Sequence, residues 1–243
     1  MTPEQPDDLF ALWIYLSASP LLGLTVTLAA YLVGQHIYLR CALNPLANPV
    51  LIAVILLVAL LMISGVAYED YFEGAQFIHF LLGPATVALA IPLYRNLALI
   101  RRSALPLGVA IIGGSLTASL SAVVIGWLLG ATEETVLSLA PKSVTTPIAM
   151  GISDSIGGLP SLTAVIVILT GISGAMLATG ILNLLRIRNW RARGVAIGLA
   201  AHGIGTARAI GVNDVAGAFA SLAMGLNGLA TAILLPLVFR LLT

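Results

Sequence analysis

Apolar residues along this chain do not recur on one stripe. They run in blocks of membrane-spanning length, parted by short polar joints. The blocks run from about Leu9 to Leu39, with Pro20 as a site for a tilt or kink, and from Pro49 to Val66, opened by Asn48-Pro49. The next runs from Phe80 to Ile100 and is interrupted by Gly83-Pro84 and Pro92. Four more follow: Pro106 to Leu129, Pro160 to Leu185, Gly194 to about Val212, and Val215 to Leu242. Prolines and glycines mark most of the joints. One stretch, Leu139 to Gly158, is too polar and too broken for an ordinary span, yet spans flank it.

Charge assigns sides to the blocks. Arg40 follows the first, Arg95, Arg101 and Arg102 close the third, Arg186, Arg188, Arg191 and Arg193 follow the Pro160 block, and Arg240 lies near the end. Glu69, Asp70 and Glu73 follow the second block, and Glu133 and Glu134 the fourth. The positive-inside rule puts the arginine joints in the cytoplasm and the N-terminus outside. The Pro160 block ends inside, so it starts outside, and the Leu139 stretch begins and ends on the outer side. The expectation is an all-α polytopic membrane protein with about seven transmembrane helices, a re-entrant element and a cytoplasmic C-terminus.

Composition agrees: the 243 residues are 59% hydrophobic and 9% charged, with a mean hydropathy of +1.06. A soluble domain carries about 25% charged residues. A net charge of +1 gives no reason to expect a nucleic-acid partner. The single cysteine, Cys41, excludes an internal disulfide and a Cys-based metal cluster. The acidic start, Met1 to Asp8, lacks the basic region of a cleaved signal peptide, so the first span is expected to insert the chain.

Two halves of the chain echo one another. Pro49-Val50-Leu51-Ile52-Ala53-Val54-Ile55 resembles Pro160-Ser161-Leu162-Thr163-Ala164-Val165-Ile166, and each is followed by Ile-Ser-Gly, at Ile63 to Gly65 and Ile172 to Gly174. Gly83-Pro84-Ala85-Thr86 faces Gly203-Ile204-Gly205-Thr206. The matches keep their order, and on the charge-derived topology each pair runs in opposite directions. The expectation is one transmembrane domain built as an inverted repeat, residues 9–130 and 139–242. The alternative is chance similarity between apolar segments.

The breaks concentrate the chemistry. Gly83-Pro84 frees backbone groups that lipid cannot satisfy, which is tolerated against protein or a wet cavity, and Thr86 supplies a hydroxyl there. Pro92 is a second break or a simple kink. In the facing segment His202, Gly203, Gly205, Thr206 and Arg208 stand together. His202 can relay protons or serve as a structural group. Arg208 falls roughly 20 Å into the layer if the segment is helical from Gly194. It pairs with Asp214, Asp154 or a substrate carboxylate, or it reaches the outer interface. Gly113-Gly114-Ser115 with Ser119, and Gly225 with Gly228, suit close helix packing. There is no His pair at metal-ligand spacing and no nucleophile elbow, so neither an enzyme nor a metal or other cofactor is expected.

The Leu139 stretch holds the only lysine, Lys142. Pro141 suits the first position of a helix, which puts Lys142 in a first turn where the dipole disfavours a cation. Ser143, Thr145 and Thr146 add hydroxyls, and Pro147 follows. An anion docked there offsets both positive terms. The alternative is a lysine that reaches the headgroups from a plain loop.

Three stretches, Leu82 to Tyr94, Pro141 to Ala149 and His202 to Ala209, resemble the LrgB/CidB family of bacterial membrane proteins. Tyr68-Glu69-Asp70-Tyr71 and Gly157 to Ala164 fit the same pattern, and the resemblance runs from about Leu9 to Leu242. The family usually carries a glutamate shortly after the histidine motif, where this chain has Val215-Ala216-Gly217. The resemblance implies a multi-pass protein of the cell inner (plasma) membrane and two functional expectations. Family members are named antiholin-like regulators of murein hydrolases and lysis, often beside a small LrgA/CidA-type membrane partner. A plastid relative looks like a glycolate and glycerate translocator, and bacterial members are linked to pyruvate. The residues favour the second: a transporter of small 2-hydroxy or 2-oxo monocarboxylates by alternating access. Lys142, Ser143, Thr145, Thr146, Thr86, His202, Thr206 and Arg208 are expected at the substrate. Gly83, Pro84, Pro92, Pro141, Pro147, Gly203 and Gly205 break the helices, and Asp154, Asp214 and His202 are candidates for a coupled ion or proton. The chain can also assemble as a homo-oligomer.

Overall fold

Helix starts follow from local chemistry. Asn48 places its side-chain carbonyl on the free N–H groups of Val50 and Leu51, at 2.9 and 3.2 Å, while Pro49 occupies a position whose N–H would go unused. The resulting helix ends at Gly65, whose φ of 68° is the left-handed conformation that glycine adopts without cost. Asn189 and Asn213 cap later helices in the same way, accepting from Arg191 N–H and from the N–H groups of Val215 and Ala216.

A computed structural model describes residues 20–81, 84, 87, 88 and 90–242. Among the described residues every regular element is an α-helix. The helices are α1 (Pro20–Arg40), α2 (Pro49–Ser64), α3 (Tyr68–Phe80), α4 (Ala90–Arg95), α5 (Leu97–Arg102), α6 (Ala104–Leu128), α7 (Glu133–Leu139), α8 (Thr146–Ser155), α9 (Pro160–Leu184), α10 (Trp190–Val212) and α11 (Asp214–Leu242). Five of the described helices, α1, α6, α9, α10 and α11, are long and apolar enough to cross a bilayer. The expected count of seven is therefore not reproduced. The Pro49 block makes a helix of 16 residues, about 24 Å, and Gly65 stops it. The Phe80 block contributes only α4 and α5, of 6 residues each, while Gly83 and Thr86 lie outside the described residues.

The chain divides into two compact units, residues 1–88 and 89–243. In the first, α1 packs on α2 and α3. Gly23 lies against the backbone of Tyr71 and Gly74, Gly34 lies against Pro49, and Thr27 Oγ1 shares a 2.6 Å hydrogen bond with the Tyr71 hydroxyl. In the second, α10 is the central helix. It packs along α11 and, on its other flank, against α9, with α6 also touching both α10 and α11.

Small residues allow that central packing. A methyl at Gly194 would meet Ala216 and Phe219, and one at Gly198 would meet the backbone of Ala220. On the opposite flank Gly174 faces Ala201. Without a hydrophobic force between helices in lipid, such close approach supplies the attraction. Of the glycines singled out for packing from the sequence, two meet a neighbouring helix and two do not. Gly113 and Gly225 face open space, Gly114 touches Leu199, and Gly228 touches Ile148.

Candidate functional site

The polar stretch after α7 folds back to its own start. Ser138, at the end of α7, accepts a hydrogen bond on Oγ from Leu159 N–H at 2.8 Å. Thr163 Oγ1, in the first turn of α9, contacts the Ser138 carbonyl at 3.1 Å and Ser153 Oγ at 2.8 Å. Ser138, Ser153 and Thr163 are completely buried. Gly158 sits so close to Ser138 N and Ser153 Oγ that a methyl there would approach within 2.9 and 2.5 Å. The segment between these points therefore leaves and re-enters at one place.

Its tip carries Lys142. The structure corrects the helix expected here: Pro141 and Lys142 lie in a turn, closed by Lys142 N–H on the Leu139 carbonyl at 3.2 Å. The helix begins instead at Thr146, with Thr145 as its N-cap and Pro147 in its first turn. Proline rules out an N–H at that position, so a start around Pro147 serves as well as one at Pro141. The Lys142 ammonium is half-buried and donates to Ser143 Oγ at 3.2 Å. Thr145 and Thr146 are half-buried, and Ser143 is buried.

One side chain fixes that tip against the long helices. Asn227 of α11, only 1% exposed, donates from Nδ2 to the Ser143 carbonyl at 3.0 Å and to the Leu199 carbonyl of α10 at 3.4 Å. Thr231 donates to Asn227 Oδ1 at 3.5 Å and pairs with Ser115 of α6 at 2.8 Å. Asn227 lies 13 residues past Asp214, about 20 Å along α11 and near its middle. The turn therefore reaches the mid-length of the longest helix.

The same level holds the break in α10. His202 has φ 38° and ψ −131°, outside helical geometry and in a region that favours glycine. Its ring is 4% exposed, and Nε2 is 2.9 Å from the Val167 carbonyl of α9. Gly171 makes room for it: a methyl there would come within 2.5 Å of His202 Cε1. One turn on, Thr206 is completely buried and its hydroxyl has no hydrogen-bond partner.

The other expected residues are placed as follows. Gly205 packs under Ala201 and Ile197, and Gly203 is half-buried with open space beside it. Arg208 is half-buried in the last turns of α10. Asp154, at the end of α8, and Asp214, at the start of α11, are exposed. Pro84 is exposed and Pro92 lies within α4. Asn227, Ser138 and Thr163 were not singled out by the sequence. Asn227 had a signal, as an amide in the middle of a 29-residue apolar helix, where lipid would leave it unsatisfied.

Comparison with known proteins gives this arrangement a family. The chain is 38% identical over 213 residues to the Bacillus subtilis protein described as the uncharacterized protein YxaC, covering 88% of this chain and 92% of that one. A Haemophilus influenzae protein is 37% identical over 80% of this chain and 84% of its own. The antiholin-like protein LrgB of Bacillus cereus is 31% identical over 219 residues, 90% of this chain and 95% of the relative. No solved structure matches. The sequence profile of the LrgB-like family matches residues 27–241, nearly all of the five long helices and both ends of the Lys142 turn, and this multi-pass membrane protein belongs to the LrgB-like family.

Proposed function

We propose that the protein moves small 2-hydroxy or 2-oxo monocarboxylates, such as glycolate, glycerate, lactate or pyruvate, across the cell inner (plasma) membrane by alternating access. The observation that carries this is the one lysine of the chain, held on a turn whose tip is hydrogen-bonded through Asn227 to α10 near its break at His202. Broken helices that meet a cation at mid-length suit a small anion. The meeting of its two ends at Ser138 and Leu159 supports a re-entrant turn. Arginines at the ends of α1 and α5 favour the inner side for both, and with the Pro49 and Phe80 blocks counted beside the five long helices the proposed total is seven. The paired motifs then form an inverted repeat whose halves rock about the site, a single domain built from residues 9–130 and 139–242. The ligand partners are Lys142, Ser143, Thr145, Thr146, His202, Thr206 and Arg208, with a proton or ion at His202, Asp154 or Asp214. No enzymatic step is required.

Carboxylate flux into proteoliposomes of the purified protein tests this directly, with Lys142→Gln as the control. Flux and ligand-induced stabilisation should disappear in Lys142→Gln while expression and the unliganded melt stay unchanged. An acid at 100 times its dissociation constant should stabilise the wild type by about 2.7 kcal/mol. Equal flux in both proteins refutes the assignment.

A second function is favoured by the names of relatives: an antiholin-like regulator of murein hydrolase activity and lysis, acting with a small LrgA/CidA-type membrane partner. The name borne by the Bacillus cereus relative supports this second function more directly than it supports transport. Co-purification with such a partner, together with autolysis rates in cells carrying Lys142→Gln, separates the two. A regulator that works through its partner surface keeps its effect on lysis without Lys142, and a transporter does not.

A further inference from the structure

Within the second unit a groove opens between the starts of α6 and α10, with a volume of about 500 Å³. Pro106 and Ala110 of α6 and Ala192 and Ala196 of α10 form its walls. Leu199 and Phe219, both buried in the core of the unit, form its back. The polar lining is confined to one end, where Ser103, Asn189 and Arg191 stand at the first turns of the two helices. From Arg191 to Leu199 the groove follows α10 for about 12 Å.

The charge at that end is one-sided. Residues 95–106 and 184–193, at the starts of α6 and α10, hold seven arginines and neither aspartate nor glutamate. The positive-inside rule sets this end at the inner face. Arg193 is already used: it is buried, donates to Asn183 Oδ1 and to the Ile187 carbonyl, and lies over the Trp190 ring. Arg191 is exposed at the mouth of the groove, and it donates to a neutral partner, Ser103 Oγ, at 3.3 Å. Trp190 beside it is exposed, as aromatic residues are at the level of lipid headgroups.

We propose that this groove binds one anionic phospholipid, its phosphate on Arg191 and Ser103 and one acyl chain along the alanine walls to Leu199. A small acid would use the guanidinium and leave the apolar walls bare. A partner helix is about 10 Å across and needs a longer face than a groove that stops at Leu199. A hydrocarbon chain under a negative headgroup uses both ends, and basic pockets between membrane helices on the cytoplasmic side take such headgroups. The 12 Å of groove, again about eight residues of helix rise, spans most of the roughly 15 Å that one leaflet contributes to the hydrocarbon core. The inference is independent of which of the two functions above the protein serves.

Thermal melts of the purified full-length protein in detergent decide it, titrated with phosphatidylglycerol, with phosphatidylcholine of the same chains and with glycerol phosphate. Native mass spectrometry counts the lipid that stays bound, expected to be one phosphatidylglycerol per chain. Wild type should respond to phosphatidylglycerol at about fivefold lower concentration than to phosphatidylcholine, one arginine's share at an anionic surface. Glycerol phosphate should give no shift, because the chain supplies the burial. Arg191→Gln should lose that fivefold preference and keep the phosphatidylcholine response. Arg186→Gln, which removes an arginine that does not line the groove, should behave as wild type. Ala110→Leu and Ala196→Leu, one on each wall, should weaken both lipids by about tenfold, the share of about two buried methylenes. Neither should lower the unliganded melt, since the added atoms enter open space. Equal responses to the two lipids, a matching response to glycerol phosphate, or an equal loss in Arg186→Gln overturns the proposal. So does a lipid response that neither leucine changes, or a lowered unliganded melt in both leucine variants, which would mean the groove is closed. If no lipid shifts or stays on the wild type, something else covers the groove and the proposal falls.

Discussion

Replacing Asn227 by alanine should destabilise the second unit by about 2–4 kcal/mol, far above the usual cost of losing a side-chain hydrogen bond within a membrane. Interhelical hydrogen bonds there average about 0.6 kcal/mol and reach about 1.7, because the separated helices find other partners. Asn227 differs in what it leaves behind. Its amide serves two backbone carbonyls at once, Ser143 at 3.0 Å and Leu199 at 3.4 Å, neither of which can move to another donor without moving its own chain segment. A buried acceptor stripped of its donor costs about 1–3 kcal/mol, the longer bond contributing the smaller share. Removing the carboxamide from a site 1% exposed also leaves a small cavity, for which about 1 kcal/mol is appropriate. Equilibrium unfolding in mixed micelles measures the sum. Asn227→Asp is the sharper companion, since it keeps the shape but repels both carbonyls, and it should be at least as destabilising. Release of the turn should also raise the reactivity of a cysteine at position 142 toward a polar maleimide, in a Cys41→Ser background. A loss under about 0.5 kcal/mol for both variants, with unchanged labelling, would refute the idea that Asn227 anchors the Lys142 turn.

Gly171→Ala should displace His202, because the added methyl would lie 2.5 Å from Cε1, and a cost of about 1–3 kcal/mol is expected in the same unfolding assay. The backbone at His202 can be isolated by comparing His202→Gly with His202→Ala. Both lose the bond to Val167, yet glycine should be the more stable by about 1–3 kcal/mol, because only glycine accepts φ 38° freely; equal stabilities would show that the break relaxes. Thr163→Val removes the hydroxyl that joins Ser138 to Ser153, and should cost about 1–3 kcal/mol and loosen proteolytic protection between residues 138 and 159. A cysteine at Ser155 should react with an impermeant reagent from the outer face only. Labelling from the cytoplasm alone would remove the re-entrant turn.

Much of the architecture was legible in the order of residues. Apolar blocks become helices in lipid because every backbone polar group must be satisfied within its own segment, so length and hydropathy suffice to place α6, α9, α10 and α11 to within a few residues. Lys142 and the His202 segment stood out for the same reason, since charge and glycine inside such blocks are costly unless used. Where the Pro141 turn gives way to a helix was not legible, because either proline fits a helix start. The glycines that bring helices together were not legible either: Gly113 and Gly194 read alike, and only the packed neighbour at Gly194 distinguishes them. Thr231 and Ser115 are each an ordinary polar residue in an apolar helix, and the mid-helix amide of Asn227 signals that it needs partners without saying which. What joins them is the three-dimensional meeting of α6, α10, α11 and the Lys142 turn. Local sequence decides which segments must be helical in lipid, whereas a hydrogen bond between residues 84 positions apart, such as Asn227 to Ser143, exists only once the helices have packed.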